Sequence, residues 1–171
     1  MLQLTGCVLI IAGCAGIAAV ICRDYNSRLD TLMVIRDIYE EFKYYISYQK
    51  LTVPETLLRL SEKERMLFSG EFYEIYETVH NGAGNFPETW ESQIGKELAH
   101  TTLNEKEKKL LLNFPSCLGY MEGGAQTGAL EELQRQTVNC IEEFSMKQKN
   151  KNKIVMSLGI AGGVLVSILL L

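Results

Sequence analysis

The chain of 171 residues carries 17 Lys and Arg against 21 Asp and Glu, which gives a formal net charge of −4. Its mean hydropathy of +0.01 is high for a chain in which 22% of the residues are charged, because every charged residue lies between Arg23 and Lys153. Acidic and basic residues are interleaved through most of that region, so the composition excludes an extended basic surface for nucleic acid.

Both ends of the chain are apolar and carry no charged residue, over residues 2–22 and 154–171. As helices with a rise of about 1.5 Å per residue, they would extend roughly 31 and 27 Å, close to the roughly 30 Å hydrocarbon core of a bilayer. We therefore predict a transmembrane helix over each of these segments and a central domain over residues 23–153.

The first apolar run also admits another interpretation. Cys7 and Cys14 each follow small residues, as the acylated cysteine of a lipoprotein export signal does. No Lys or Arg precedes the run, although a secretory signal needs a basic start, and apolar residues continue beyond Cys14 to Cys22. A retained membrane anchor is favoured, and an exported lipoprotein binding module anchored through Cys7 or Cys14 is the alternative.

Basic residues near the ends of the two apolar segments predict the orientation of the chain. They lie on the inner flanks, at Arg23, Arg28 and Arg36 after the first segment and at Lys147, Lys149, Lys151 and Lys153 before the second. We expect a cytoplasmic central domain, with both termini across the membrane.

Small residues four positions apart occur within both apolar segments. Ala12 with Gly16, and Gly159 with Gly163, have the spacing that allows close backbone approach between membrane helices. These four residues are our candidates for helix packing in the membrane.

The central region begins with a helical pattern, because apolar residues recur every three or four positions over residues 26–48. No Gly or Pro separates this pattern from the first apolar run, so we expect one helix to continue through both. Three further helix starts place a capping side chain three positions before a Glu, at Thr52 with Glu55, Asn85 with Glu88 and Asn104 with Glu107.

These signals predict an all-α fold, with about six helices in the cytoplasmic bundle. A helix over residues 62–80 ends at the turn from Asn81 to Asn85. The helix that Asn104 caps runs from Glu105 to a break over residues 119–128, and a further helix begins at Ala129 and leads into the second apolar segment. Strict alternation of apolar and polar residues is absent, so the pattern predicts no strand.

Motifs for catalysis or cofactor binding are missing from the sequence. The two histidines, His80 and His100, belong to no HExxH pattern, no two cysteines have CxxC spacing, and no GxxxxGK[ST] phosphate loop occurs. We expect no cofactor, no metal and no enzymatic activity, and a membrane-bound enzyme would need a site that the sequence does not reveal.

Several short motifs resemble the stage III sporulation protein AB family of endospore-forming bacteria. They are the opening Met1-Leu2-Gln3-Leu4, the helix start Val53-Pro54-Glu55-Thr56-Leu57, and the pair Leu118-Gly119 followed by Gln126 through Leu130. The chain departs from the family where a usual Phe-Gly pair is Phe114-Pro115, and where an acidic residue common soon after Leu-Gly appears only as Glu122.

The resemblance implies a function, because this family is similar to the F-domain platform proteins of type II secretion and type IV pilus machines. It implies a place in the mother-cell membrane, within the channel complex between mother cell and forespore. The partners that the resemblance implies are other membrane proteins of the channel and a cytoplasmic secretion-type ATPase. The apolar segments add the lipid bilayer as a partner, and the alternative of a homo-oligomer stays open. Our candidate docking residues are Asn81, Asn85, Gly119, Glu122, Gln126, Glu131 and Glu132.

Overall fold

The computed structural model describes residues 2–64, 66–118 and 123–170. Within these ranges the chain forms seven α-helices and no strand, which confirms the all-α prediction. The helices are α1 (Leu2–Ser47), α2 (Val53–Ser61), α3 (Ser69–His80), α4 (Phe86–Ala99), α5 (Glu105–Leu112), α6 (Phe114–Leu118) and α7 (Gly123–Leu170).

The chain divides into two compact units. Unit 1 comprises Met1–Leu29 and Glu142–Leu171, and unit 2 comprises Asp30–Ile141. The predicted continuity of the first helix is confirmed, since α1 runs without a break from Leu2 to Ser47.

The apolar stripe predicted over residues 26–48 supplies one wall of the core of unit 2. Its buried members are Leu32, Ile35, Ile38, Tyr39, Phe42 and Ile46. Helices α2 to α7 add their own buried residues to the same cluster. Burial of apolar surface is the main term that favours folding, so this stripe holds α1 in unit 2.

Local capping signals in the sequence correctly locate three helix starts. Thr52 and Glu55 form a reciprocal capping box at α2, and Asn104 and Glu107 form another at α5. The side chain of Asn85 caps α4. In each case a side chain satisfies a backbone N–H that the first helical turn leaves without a partner.

Three predicted boundaries are wrong. Helix α3 begins at Ser69 and not at residue 62, because Phe68 adopts a left-handed conformation with φ of 70°. Helix α7 begins at Gly123 instead of Ala129, so the glycines after residue 122 lie inside a helix. The helix expected from Glu105 to Leu118 divides at Asn113 into α5 and α6.

The division between α5 and α6 has a direct chemical cause. Pro115 has no N–H to donate to the carbonyl of Leu111, four residues earlier. The indole Nε1 of Trp90 donates to that carbonyl instead, at 2.9 Å. The hydroxyl of Tyr39 donates to the neighbouring carbonyl of Leu110 at 2.6 Å, so two aromatic side chains satisfy backbone groups at the helix break.

Phe114 packs among the rings that carry these donors. Its ring centroid lies 4.6 Å from that of Trp90 and 4.5 Å from that of Phe42, and it stacks on Tyr39 at 5.8 Å. All four side chains are fully buried. The contacts join α1, α4 and α6 in one aromatic cluster.

Unit 1 exposes large aliphatic side chains along both of its helical segments. On α1 these are Leu9, Ile17, Val20 and Ile21, and on α7 they are Ile154, Leu158, Leu165, Val166 and Ile168. Among the described residues, no helix contains a stretch both long and apolar enough to cross a membrane. The two predicted transmembrane helices are not confirmed by the structure and stay predictions.

The hydrogen bond from Tyr39 to the Leu110 carbonyl generates a stability prediction. We expect Tyr39→Phe to lower the free energy of unfolding by about 1–3 kcal/mol, because it leaves a carbonyl without its donor. Tyr44→Phe removes the same hydroxyl from an exposed tyrosine and should change the free energy by less than about 0.5 kcal/mol. Urea unfolding of the full chain in detergent, followed by the fluorescence of its one tryptophan, measures both. Equal effects of the two substitutions would contradict this account of the helix break.

Candidate docking surfaces

The turn between α3 and α4 is exposed from Asn81 to Asn85, and both asparagines at its ends have local structural partners. The backbone N–H of Asn81 donates to the carbonyl of Glu77 at the end of α3, at 3.0 Å. The side-chain oxygen of Asn85 accepts from the N–H of Glu88 at 2.9 Å. Asn81 lies at the end of α3 and Asn85 caps the start of α4, so both residues have a structural role that is separate from docking.

Gly84 allows the chain to pass close to the adjoining helices. A Cβ atom at this position would lie 2.9 Å from Oγ1 of Thr89 and 3.1 Å from a methyl group of Thr78. Gly82 has a φ of 66°, which glycine adopts without steric cost. The two glycines therefore define the shape of the turn.

Three of the predicted docking residues lie on α7. The amide of Gln126 donates to the Leu118 carbonyl at 3.5 Å, Glu131 pairs with Lys43 of α1 at 2.7 Å, and Glu132 accepts hydrogen bonds from Arg135 and Gln136. Gly119 and Glu122 lie outside the described residues.

Glu131 and Glu132 each pair with a cationic side chain, Lys43 for Glu131 and Arg135 for Glu132. Hydrogen bonds from Gln136 and then Arg135 hold the pKa of Glu132 below its ordinary value. The hydrogen bond to Glu131 raises the pKa of Lys43 above its ordinary value. Exposed ion pairs add little stability, so these groups mainly determine the charge that the surface presents.

Two exposed tyrosines of α1 each lie next in sequence to a residue that contacts α7, and the sequence analysis did not single them out. Tyr44 is 48% exposed and Tyr48 is 76% exposed, with ring centroids 5.9 Å apart. The residues before them make these contacts: Lys43 pairs with Glu131, and Ser47 forms a hydrogen bond with Thr127 at 2.9 Å. We call the four residues Tyr44, Tyr48, Glu131 and Glu132 the seam surface.

A signal for these tyrosines was present in the sequence. They are four residues apart and fall outside the apolar stripe that contains Tyr39, Phe42 and Ile46, so helical periodicity places them on the solvent side. Tyrosine is enriched in protein interfaces. An exposed pair at this spacing is therefore a better marker of docking than a polar turn.

A groove between α2 and α3 is the second feature that the sequence did not indicate. Its cavity volume is about 510 Å³, and its lining residues are Leu58, Ser61, Glu62, Ser69, Gly70, Tyr73 and Glu74. Tyr73 is half exposed. The groove is open and carries two carboxylates.

The predicted docking residues form two separate groups. Among the residues described, no hydrogen bond or ion pair joins Asn81 or Asn85 to Gln126, Glu131 or Glu132. Glu131 pairs with Lys43 of α1, the residue before Tyr44, whereas Asn81 and Asn85 lie at the α3–α4 turn. The same part of the chain contains no group of three His, Cys, Asp or Glu placed to hold a metal ion.

The four small residues proposed for membrane packing lie in α1 and α7. Ala12 and Gly16 are exposed, and a Cβ atom added at Gly16 would meet nothing within 4 Å. Gly159 and Gly163 lie within α7, but their surroundings fall outside the described residues. Their role in helix packing stays a prediction.

Comparison with known proteins identifies a family. A family model described as stage III sporulation protein AB matches residues 3–171, which is essentially the whole chain. No curated protein and no solved structure gives a match.

The capping role of Asn85 generates a prediction about stability. Asn85→Ala should lower the free energy of unfolding by about 1 kcal/mol, because it removes the acceptor for the Glu88 N–H. Asn85→Asp keeps an oxygen at the same position and should preserve stability. Urea unfolding of both variants tests this, and an unchanged stability in Asn85→Ala would show that the cap is dispensable.

Proposed function

The chain belongs to the stage III sporulation protein AB family, and from this premise we propose that it is a membrane platform of the channel complex between mother cell and forespore. In this role it docks a cytoplasmic secretion-type ATPase. The chain performs no chemistry itself, and the nucleotide cycle of the ATPase supplies the work. Its membrane segments contact other membrane proteins of the channel, a second copy of the chain, or both.

The observation that carries the proposal is the exposed aliphatic surface of unit 1. Leu9, Ile17 and Val20 on α1 are 72%, 66% and 59% exposed, and Leu158 and Ile168 on α7 are 65% and 69% exposed. Contiguous exposed apolar surface on a protein marks contact with a membrane or another protein. Because both helical segments carry it, we propose that residues 2–22 and 154–171 both anchor the chain.

The distribution of charge supports a cytoplasmic position for unit 2. Unit 1 carries six Lys and Arg and three Asp and Glu, a net charge of +3, whereas unit 2 carries eleven and eighteen, a net charge of −7. Basic residues next to membrane segments favour the cytoplasmic side. An acidic unit is repelled by the anionic cytoplasmic leaflet and is therefore free to face a partner in solution.

The seam surface is the best candidate for docking the ATPase. Tyr44 and Tyr48 offer large exposed rings with few rotatable bonds. Glu131 pairs with Lys43, the residue before Tyr44, and Glu132 adds a second exposed carboxylate on α7. Aromatic residues dominate the energy of many interfaces, and flanking charges steer association and fix orientation. The surface fits a partner that presents Arg or Lys, since a guanidinium group binds both tyrosine faces and carboxylates.

The function is tested by affinity capture of the full chain from sporulating cells in mild detergent. We expect the native chain to recover a secretion-type ATPase and membrane proteins of the channel. The double variant Tyr44→Ala/Tyr48→Ala should recover at least about tenfold less ATPase, the loss expected for aromatic residues central to an interface. Tyr73→Ala, which truncates another half-exposed tyrosine, should bind normally.

Two outcomes would contradict the proposal. Failure of the native chain to recover either an ATPase or channel proteins would remove the platform function. Equal capture by the double variant would exclude the seam surface as the docking site. The intact mass of the captured chain addresses the lipoprotein alternative, because loss of the residues before Cys7 or Cys14 with an added diacylglycerol would favour it.

A further inference from the structure

The groove between α2 and α3 is built from equivalent positions on the two helices. Each helix contributes residues spaced i, i+3 and i+4, which lie on one face of a helix. These residues are Leu58, Ser61 and Glu62 from α2 and its C-cap, and Gly70, Tyr73 and Glu74 from α3. Both walls of the groove therefore combine a small residue, a large side chain and a carboxylate.

The helices that form the groove are held in place by their other faces. Leu57 and Leu60 of α2 and Phe72 and Ile75 of α3 are fully buried in the core of unit 2, whereas Tyr73 is half exposed. The groove volume of about 510 Å³ falls within the range of about 300–1,000 Å³ that is usual for binding sites. The fold thus supports the two walls without any side chain of its own filling the space between them.

Gly70 helps to keep this space free. A Cβ atom added at Gly70 would meet nothing within 4 Å, and Gly70 itself lines the groove. A larger side chain at this position would extend into the groove and would displace no neighbouring atom at its Cβ.

The surroundings of the groove are acidic. Residues 53–80 carry six Glu against three Lys or Arg, a formal net charge of −3. Arg59 pairs with Glu62 at 3.3 Å, but both side chains are exposed, and such pairs exchange partners at little cost. Lys63 pairs with Glu41 of α1 at 2.5 Å, so its charge is engaged outside the groove. The groove therefore favours a cationic occupant.

We propose that the groove binds a segment of a partner protein in which arginines flank an apolar side chain such as leucine. A guanidinium group stacks on an aromatic ring and also forms paired hydrogen bonds with a carboxylate, which fits Tyr73 and Glu74 together. The apolar side chain covers Leu58. A small polyamine or a metal ion would neutralise the carboxylates but would leave Leu58 uncovered, so the protein segment fits more of the groove.

This partner is distinct from the ATPase of the proposed function. The groove shares no residue with the seam surface, and its residues come from α2 and α3 instead of α1 and α7. The inference goes beyond the platform function and does not depend on the membrane placement.

The test measures the binding of a dye-labelled nonapeptide to the full chain in a non-ionic detergent, by fluorescence anisotropy. The probe has a leucine between two arginines in a glycine and serine background. Two comparison peptides replace the arginines by glutamate or the leucine by serine. We expect the probe to bind at least about tenfold more tightly than either one at low salt. The advantage over the acidic peptide should decrease as salt screens the charges.

A matched pair of glycine variants assigns the binding to the groove. Gly70→Leu should weaken binding of the probe at least about tenfold, because the new side chain occupies part of the groove. Gly128→Leu adds the same side chain at an exposed position of α7 where a Cβ atom also meets nothing within 4 Å, and it should bind normally. Circular dichroism should show the native helix content in both variants.

A charge-matched pair of variants tests the role of the carboxylates. Glu62→Gln/Glu74→Gln should weaken binding of the probe at least about tenfold, because it removes both carboxylates of the groove. The control Glu40→Gln/Glu91→Gln removes the same charge from exposed glutamates of α1 and α4 and should keep most of the binding.

Several results would overturn this docking site. Equal binding of the three peptides, or unchanged binding in Gly70→Leu or in Glu62→Gln/Glu74→Gln, would each do so. Displacement of the probe by spermine at constant ionic strength would indicate a site for small cations instead. Loss of the probe in Tyr44→Ala/Tyr48→Ala would place it on the seam surface.

Failure of the groove and failure of the platform are distinguishable. A chain that binds the peptide but recovers no ATPase or channel proteins from cells contradicts the platform alone. A chain that recovers them but does not discriminate between the peptides contradicts the groove alone.

Discussion

The break between α5 and α6 is the constraint on which unit 2 depends. Pro115 withholds a backbone donor from Leu111, and the protein satisfies that carbonyl and its neighbour with Trp90 and Tyr39. Because these side chains come from α4 and α1, the two hydrogen bonds and the ring contacts of Phe114 join three parts of the chain at one point. A buried carbonyl without a partner costs more than an ordinary hydrogen bond contributes, so the break and the cluster stabilise each other.

Local signals in the sequence predict the fold class and the starts of α2, α4 and α5, because a cap such as Thr52 with Glu55 acts within three residues. The late start of α3 follows from the left-handed backbone of Phe68, whereas the break between α5 and α6 also involves distant partners. The donor for Leu110 is 71 residues away in the sequence, and no local pattern reports it. Docking residues are also hard to predict from residue type. Asparagine suits both a helix cap and a partner contact, and aromatic residues suit both a core and an interface. Burial separates Tyr39 from Tyr44, whereas residue type does not.

The separation of charge and apolar surface between the two units connects the fold to the proposed function. Unit 1 combines exposed aliphatic side chains with a net positive charge, which suits the boundary between hydrocarbon and anionic headgroups. Unit 2 combines a packed aromatic core with a net negative charge and the exposed tyrosines of the seam surface, which suits a partner in solution. In the proposed function, the two units correspond to the membrane side and the partner side of a platform.

The central claim is that both ends cross the membrane while unit 2 stays in the cytoplasm. Two cysteine reporters test it most directly, Ser92→Cys on the exposed side of α4 and a cysteine appended after Leu171, each compared with the parent chain in non-sporulating cells. A membrane-impermeant thiol reagent should label the appended cysteine in intact cells and the residue-92 reporter only after permeabilisation. Labelling of the residue-92 reporter in intact cells, or protection of the appended cysteine until permeabilisation, would contradict this topology.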